Sequence, residues 1–314
     1  MISIVIPSSG RPGLIERAIE AIAVRIRDLE SVEVVVVDDT PDGSISQRVS
    51  CERRDVKLRV VRGPGRGPGG ARNIGAKAAR GDLLVFIDDD CVPVASWLEA
   101  YRRKYLEEPD ALLFGPISDG LPDNLWSHAY HTILDYLCIT HLSESIEESS
   151  MITSRSPFAP GANFAIGRIP FLSALGFDSS LRRVSEDRAF SAKWLQMGRR
   201  IRGVPAAGVT HYHPLTFRQF LRQQFLYGRG ACQFRQSLER DAIARSLELP
   251  GFYFGLLVHA LNAERGRKRI LVAVALAQLA VASGYVYEVS MAGRRLSRWT
   301  IQPTTRRLQS RGGP

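Results

Sequence analysis

Cysteine is scarce in this sequence, and its cysteines are not paired at short spacing. The 314 residues include four, which lie far apart at Cys51, Cys91, Cys138 and Cys232. This spacing lacks the close pairs of a structural zinc site and the density of a disulfide-stabilised domain. We therefore expect reduced thiols and a cytoplasmic protein.

The sequence also lacks the basic start and long apolar core of a secretory leader. Its first residues, MISIVIPSSGRP, are apolar from the outset but reach a proline at position 7. Because a leader carries a charged segment before an uninterrupted apolar stretch, we interpret these residues as a first β-strand.

Apolar residues and positive charge are both plentiful. Hydrophobic residues make up 45% of the chain, which is enough for one large domain or one domain with an appendage. The formal net charge is +10, and the isoelectric point is near 9.8. Such charge favours contact with nucleic acid, an anionic membrane or a phosphorylated small molecule, and it does not choose among them.

Strand and helix patterns alternate in the N-terminal half. Apolar and β-branched runs predict strands at 2–7, 32–39, 57–63 and 83–87. Helical spacing follows the first run at 14–26, and a Gly/Pro loop at residue 64 opens into another helix. The near-continuous valines of the second run are typical of a strand buried on both faces. We predict a three-layer α/β domain with its ligand site at the carboxyl ends of the strands.

Aspartates follow two of these predicted strands. Asp38 and Asp39 end the second, and Asp88, Asp89 and Asp90 end the fourth. Clustered carboxylates repel one another and resist desolvation unless a cation faces them. A divalent ion bound through carboxylates and substrate phosphates relieves that repulsion. Aspartates at such positions can also cap helices or turn the chain.

The order of motifs resembles the family 2 glycosyltransferases. The matching segments are SIVIP, VVVVDDTPDGS, GGARNIGAKAARGDLLVFIDDDCVP, GANFAIGR and SEDRAF. The resemblance implies the GT-A fold, a Rossmann-like α/β/α arrangement with a mostly parallel sheet, and inverting transfer from a nucleotide sugar. We expect a catalytic domain at 1–230, with a nucleotide-sugar half to about 115 and an acceptor half at 116–230. A helical, membrane-associated region with a basic tail would occupy 231–314.

The resemblance also implies a nucleotide site. Pro7 and Asp39 match positions that line the base pocket, with Asp39 accepting a hydrogen bond from the base. Arg72 matches a basic residue of the same site, and Asn73 its structural companion. The imide N–H of uracil or thymine suits Asp39, and we favour a UDP-sugar, although guanine also offers a donor edge.

The triplet of aspartates matches the D-x-D motif of that family. Asp88 and Asp90 take its outer places, which meet the ribose and a diphosphate-bound metal, and Asp89 takes the variable middle place in the nucleotide site. The departing diphosphate gains negative charge that a metal or other cation must neutralise. We therefore expect Mn²⁺ or Mg²⁺, bound by Asp90 and Asp88.

Two further pairs complete the predicted site. Glu186 and Asp187 begin a predicted helix, where acidic residues ordinarily cap the helix and complement its dipole. They also match the family's E-D motif, which implies that Asp187 is the general base and that Glu186 orients a substrate. Such a base must reach the acceptor hydroxyl. His211 and His213 resemble an imidazole metal site of some family members, and we favour His211 as the ligand.

Two apolar runs near the C-terminus, at 249–261 and 270–287, have basic residues on their flanks. The second run is about the minimum length to cross a bilayer. Basic flanks on both sides argue against a clean crossing, so we expect a peripheral tail on the inner face of the cell membrane, or else a packed soluble tail. The flanking residues are Arg265, Arg267, Lys268, Arg269, Arg294, Arg295, Arg298, Arg306 and Arg307.

Other functions agree less well with the motifs. No G-x-G-x-x-G follows the first strand, which disfavours a dinucleotide site. A magnesium-dependent phosphohydrolase would place its D-x-D near the chain start, and an RNA-binding or membrane-binding module rests on charge alone. We expect no nucleic-acid partner. The Q-x-x-R-W motif of processive synthases is absent, which favours single-sugar transfer to the hydroxyl of a glycan, lipid-linked sugar, peptide or metabolite.

Overall fold

The computed structural model describes most of the chain, in seven segments: residues 1–26, 31–49, 57–142, 158–178, 185–238, 250–262 and 267–299. Part of the predicted basic tail lies outside these segments, namely Arg265, Arg306 and Arg307. The side chains of Arg294, Arg295 and Arg298 are likewise outside the described residues.

The described residues form ten strands and ten helices. The strands are β1 (Ile2–Ser8), β2 (Val32–Asp38), β3 (Lys57–Arg62), β4 (Leu83–Ile87), β5 (Cys91–Pro93), β6 (Leu112–Phe114), β7 (Ile117–Asp119), β8 (Asn163–Gly167), β9 (Ile201–Gly203) and β10 (Val209–His211). The helices are α1 (Pro12–Ile26), α2 (Ser44–Arg48), α3 (Pro68–Ala78), α4 (Trp97–Glu107), α5 (Leu125–Leu142), α6 (Arg168–Ser173), α7 (Glu186–Gln196), α8 (Phe217–Leu238), α9 (Pro250–Leu261) and α10 (Arg267–Trp299).

The main sheet has seven strands in the order β3-β2-β1-β4-β8-β6-β9. The first four strands of this order pair in parallel, whereas β8 runs antiparallel to both of its neighbours. Every residue of β1, β2 and β4 is buried, because helices cover both faces of the sheet. The carboxyl ends of these strands therefore meet at one edge.

A second, smaller sheet consists of three short strands. Its order is β5-β10-β7, and His211 on β10 is paired with Cys91 on β5. The backbone N–H of Tyr212 also donates to the carbonyl of Asp90 at 2.8 Å. These bonds bring the predicted histidine segment directly beside the aspartate triplet.

The segment GANFAIGR includes β8 and contains a buried asparagine that connects several elements. The Asn163 amide oxygen accepts hydrogen bonds from Trp97 Nε1 and the Tyr101 hydroxyl, both at 2.9 Å. Its amide nitrogen donates to the carbonyl of Ala207 at 2.8 Å. With these partners, Asn163 has a structural role.

The C-terminal helices pack together with α5 around a hydrophobic cluster that includes Phe220, Leu256 and Val274. Helices α8 and α10 cross very closely, since a Cβ atom at Gly228 would lie 1.9 Å from the carbonyl oxygen of Val281. Helix α8 continues past residue 230, where the catalytic domain was predicted to end. The domain division stays a prediction.

Candidate active site

The aspartate triplet forms a tight turn after β4. The backbone N–H of Cys91 donates to the carbonyl of Asp88 at 3.1 Å, which closes the turn. Asp89 and Asp90 are buried, at 1% and 4% exposure, while the side chain of Asp88 is 27% exposed. The three carboxylates therefore project into different surroundings.

An arginine that the sequence reading missed bridges two of these carboxylates. The guanidinium of Arg11 donates to Asp89 and to Asp90, and the Ser8 hydroxyl donates to Asp89 at 2.7 Å. Burial alone would lower the pKa of Arg11, but the charges of Asp90 and Asp89 raise it. Burial raises the pKa of Asp89 to about 6, partly opposed by Arg11. The position of Arg11 just after β1, at the edge where the aspartates lie, is the sequence signal that could have identified it.

Both predicted histidines contact one aspartate. Nε2 of His211 lies 3.1 Å from Asp90 Oδ1, and Nδ1 of His213 lies 3.3 Å from Asp90 Oδ2. The two rings are stacked, with centroids 5.1 Å apart. Burial would raise the pKa of Asp90, but hydrogen bonds from these rings and the charge of Arg11 hold it well below its usual range.

Arg72 connects the aspartate turn to the predicted catalytic pair. Its guanidinium donates to Asp88 Oδ1 at 2.6 Å and to Glu186 Oε1 at 3.1 Å, and it is 2% exposed. A Cβ atom at position 161 would lie 2.7 Å from Arg72 Nη2, so a side chain larger than that of Gly161 would collide with the guanidinium. Burial, followed by the charge of Asp187, raises the pKa of Glu186 to about 7.

Asp187 lies in the first turn of α7, beside Glu186. Its carboxylate accepts hydrogen bonds from the backbone N–H of Gly161 at 3.1 Å and of Arg188 at 2.8 Å. The preceding Ser185 has a φ of 68°, in the left-handed region that non-glycine residues rarely adopt. This residue is the N-cap of α7, and Glu186 directly after it pairs with Arg72.

The two aspartates at the end of β2, of which Asp39 was predicted to bind the nucleotide base, have hydrogen-bond partners of their own. Asp38 is buried, and hydrogen bonds from Thr40 and Ser46 outweigh its burial and lower its pKa to about 2, so its observed role is structural. Asp39 accepts from the backbone N–H groups of Gly65 at 2.7 Å and Gly67 at 3.0 Å.

The other predicted residues around the base site also differ in their surroundings. Pro7 is buried within β1. Asn73 exchanges hydrogen bonds of 2.8 and 2.9 Å with the backbone of Phe177.

One cavity of about 1200 Å³ joins the groups at the strand edge. Its walls do not include Pro7 or Asp39, and they do not include Asp89 or Asp90, which lie just beneath the surface. The cavity continues past the polar groups and between the C-terminal helices. Its polar lining residues include Arg11, Arg72, Asp88, Glu186, Asp187, His211 and His213.

The residues beside Asp90 suit a divalent metal ion. One ligand atom each of Asp90, Cys91 and His211 lies within 4.8 Å of the others. Burial raises the pKa of the Cys91 thiol well above its ordinary value, so the sulfur is protonated and a poor ligand for a hard cation. Nδ1 of His211 is buried without a hydrogen-bond partner among the described residues. The Asp90 carboxylate and the two imidazoles suit a divalent ion, whereas Asp88 is engaged by Arg72.

The sheet order, its antiparallel β8 and the acidic edge define a GT-A fold. The chain belongs to glycosyl transferase family 2, whose model matches residues 3–171. These findings confirm the predicted fold class and the resemblance to this family.

Curated relatives are similar over different shares of the chain. The succinoglycan biosynthesis protein ExoW of Rhizobium meliloti is 27% identical over 245 residues, which are 71% of this chain and 75% of ExoW. The pre-mycofactocin glycosyltransferase of Mycobacterium tuberculosis is 26% identical over 213 residues, 66% of this chain and 43% of that protein. The chain thus spans less than half the length of the mycobacterial relative.

A solved structure supports the fold over almost the whole chain. The mannosyltransferase PcManGT from Pyrobaculum calidifontis, in complex with GDP-Man and Mn²⁺, has a TM-score of 0.58 and 19% identity. The match covers 96% of this chain and 81% of PcManGT. At this identity the likeness concerns the fold.

Proposed function

We propose that this protein is an inverting, divalent-metal-dependent glycosyltransferase that moves one sugar from a nucleoside diphosphate sugar to a hydroxyl acceptor. The observation that carries the proposal is Arg72, which joins Asp88 after β4 to Glu186 at the start of α7. A donor-binding edge and a candidate base thereby lie on the same cavity wall.

The donor side would hold the nucleotide and its diphosphate. Asp90 and His211, with His213 less favoured, would bind Mn²⁺ or Mg²⁺, and Asp88 would be its further ligand or contact the ribose. When bound, such an ion supplies positive charge that stabilises the departing diphosphate. Arg11 and Arg72 add fixed positive charge at the same edge.

The acceptor side would supply the base. In a single displacement, the acceptor oxygen bonds to the anomeric carbon while the bond from that carbon to the diphosphate oxygen breaks. Asp187 takes the hydroxyl proton, and the diphosphate leaves with the bonding electron pair. Glu186, held by Arg72, orients the substrates beside it.

The proposal also covers the donor nucleotide and the location of the protein in the cell. We infer a UDP-sugar donor bound by Pro7, Asp39 and Asp89. The Asp39 carboxylate already accepts hydrogen bonds from Gly65 and Gly67, and its remaining lone pairs can accept one from the nucleotide base. Because PcManGT was solved with GDP-Man, a GDP-sugar is the alternative donor to be tested. A cytoplasmic protein with C-terminal contact to an anionic membrane agrees with the basic charge.

A donor panel tests the proposal. Purified protein is incubated with UDP-, GDP- and dTDP-sugars plus Mn²⁺, Mg²⁺ or EDTA, and binding and donor hydrolysis are measured. We expect metal-dependent activity with one nucleotide class. Asp90→Ala should lose metal-dependent nucleotide binding, whereas Asp187→Asn should keep donor binding and lose transfer by at least about a hundredfold.

Two outcomes would overturn these assignments. Unchanged metal-dependent nucleotide affinity in Asp90→Ala would remove Asp90 from the metal site, and wild-type transfer by Asp187→Asn would remove Asp187 as base. Release of phosphate from simple phosphomonoesters, without donor hydrolysis, would favour a phosphohydrolase.

A further inference from the structure

The cavity at the candidate transfer site has a second, apolar limb that the transfer chemistry does not use. This limb runs between α5, α8, α9 and α10 and is lined mainly by aliphatic and aromatic side chains. Representative residues of its wall are Leu134, Leu137, Leu226, Phe234, Leu256 and Leu279. The same continuous cavity contains Asp187 and Asp88.

Its size and lining both constrain the occupant. At about 1200 Å³ the cavity exceeds the roughly 300–1,000 Å³ of most small-molecule sites. A glycan or peptide in the apolar limb would leave hydrogen-bonding groups unpaired, at a cost of about 1–3 kcal/mol for each group. A hydrocarbon chain has no such groups, and its burial there is favourable.

The limb also reaches the protein surface among exposed apolar residues. Leu279 and Val286 line the cavity and are 65% and 67% exposed, and Tyr253 on α9 is 42% exposed. The two α10 residues belong to an exposed apolar stripe with helical spacing, formed by Val272, Ala275, Leu279, Ala282, Val286 and Val289. A chain can enter from this surface without passing the charged edge.

Polar groups mark the junction between the two limbs. Nε2 of Gln223 lies 3.3 Å from His213 Nε2 and donates to the Tyr227 hydroxyl at 3.2 Å. Both α8 residues line the cavity. An amphiphile placed with its polar end at this junction would direct its chain away from the carboxylates.

From these observations, and resting on the proposed function, we propose that the acceptor is an amphiphile. Its hydroxyl faces Asp187 and its hydrocarbon chain occupies the apolar limb between α5, α8, α9 and α10. The limb thus selects acceptors by their chain, while the charged edge binds the donor.

Chain-length dependence of binding tests this inference. The full chain is loaded with a dansyl-labelled undecanoic acid, which butyl, octyl and dodecyl glucosides then displace below their micelle concentrations. Each methylene group that enters the limb should tighten binding by up to about fourfold. We expect at least about a tenfold gain from butyl to octyl glucoside.

Two matched pairs of α10 variants separate the limb from the exposed stripe. Leu279→Asp and Val286→Asp place a charge on the cavity wall, whereas Val272→Asp and Val289→Asp place it on the same stripe outside the cavity. All four positions are exposed, so folding should tolerate the changes. The first pair should weaken dodecyl glucoside binding by about tenfold or more, and the second by less than about twofold.

The outcomes separate this inference from the proposed function, because nucleotide-sugar binding is measured on the same samples. Equal weakening by all four variants, or affinity independent of chain length, would overturn the limb as a chain site while donor binding persists. Absent donor binding in the wild type would instead overturn the proposed function, and with it the acceptor role.

Discussion

Three adjacent aspartates at the strand edge have three different sets of partners. Asp88 pairs with the buried Arg72. Asp89 accepts hydrogen bonds from the Ser8 hydroxyl and from Arg11. Asp90 accepts a hydrogen bond from Arg11 and contacts two imidazole rings. The tight turn therefore divides their charge between two arginines, with Arg72 beside Asp88 and Arg11 shared by Asp89 and Asp90. Arg11 offsets part of the repulsion that a divalent ion would otherwise have to balance.

Replacement of Arg11 should cost stability chiefly when no metal is bound. Arg11→Ala leaves the buried carboxylates of Asp89 and Asp90 without their shared donor, and we expect a loss of about 1–3 kcal/mol in the free energy of unfolding. Saturating Mn²⁺ should reduce that loss, because the ion supplies charge at the same oxygens. Urea unfolding in EDTA and in Mn²⁺ measures both values.

Arg102→Ala is the control for this experiment. Arg102 forms an exposed pair with Glu99 at 3.1 Å on α4, so its removal should change stability by less than about 1 kcal/mol in either buffer. An Arg11→Ala loss that is the same with and without Mn²⁺ would contradict the idea that arginine and metal neutralise the same carboxylates.

Glu186 should make the protein less stable as the pH rises. Burial raises its pKa in the folded state from the ordinary 4.5 to about 7. Its contribution is therefore fully present below about pH 4.5 and is lost as the pH rises through about 7. Relative to Glu186→Gln, the wild type should lose up to about 3 kcal/mol across this window.

Urea unfolding of both proteins in EDTA from about pH 4.5 to 8 measures that difference. Because Asp89 titrates in both, its raised pKa cancels in the comparison. A difference that stays constant with pH would show that Glu186 ionises in the fold as it does in the unfolded chain.

Contiguous motifs made part of the site predictable at the residue scale. The triplet and the Glu186–Asp187 pair each combine neighbouring acidic residues with a recognisable strand or helix. Arg11 was missed because its role depends on the β1 loop lying beside the β4 turn, which is a tertiary arrangement. The roles of Gly161 and Ser185 likewise depend on tertiary structure: Arg72 approaches Gly161, and Ser185 precedes α7.

At the scale of elements, prediction succeeded where burial imposes a long pattern. The four predicted strands of the parallel sheet agree with β1 to β4 within one residue at each end. The three-residue strands β5 and β7 were not predicted, because strands that short depend on pairing with distant segments. The histidine segment belongs to this second sheet only in part, because β10 ends at His211 and His213 lies beyond it.

The crossing of α8 and α10 should tolerate no added side-chain atom. Gly228→Ala would place Cβ 1.9 Å from the Val281 carbonyl oxygen, so the helices must separate. Alanine normally stabilises a helix interior by up to about 1 kcal/mol relative to glycine. Here we expect a net loss of about 1–3 kcal/mol in urea unfolding.

Gly251→Ala on α9 is the matched control, because nothing lies within 4 Å of its added Cβ atom. Its stability should be unchanged or slightly increased. Equal stability of the two variants would show that the α8–α10 contact is loose in solution.

At the scale of the whole molecule, the positive charge and the apolar stripe of α10 lie on the same C-terminal region. Within the described residues, one helix, Arg267–Met291, is long and apolar enough to cross a membrane by length and composition. Its Glu288 is buried and accepts from Arg229 at 2.7 Å and Gln233 at 2.9 Å, which ties it to α8. Because these contacts hold α10 against α8, we predict peripheral attachment, with the exposed stripe toward the lipid.

Anionic vesicles should therefore bind the full chain more tightly than neutral ones, and added salt should release it. Replacement of the exposed Arg267, Lys268 and Arg269 by glutamine should weaken sedimentation with phosphatidylglycerol vesicles by at least about tenfold, since each basic residue near such a surface contributes about 1 kcal/mol. A control triple variant with glutamine at the exposed Arg80, Arg102 and Arg103 removes the same charge far from α10 along the chain. Equal weakening by both would assign the attraction to net charge, whereas a selective loss at α10 would place this helix against the membrane.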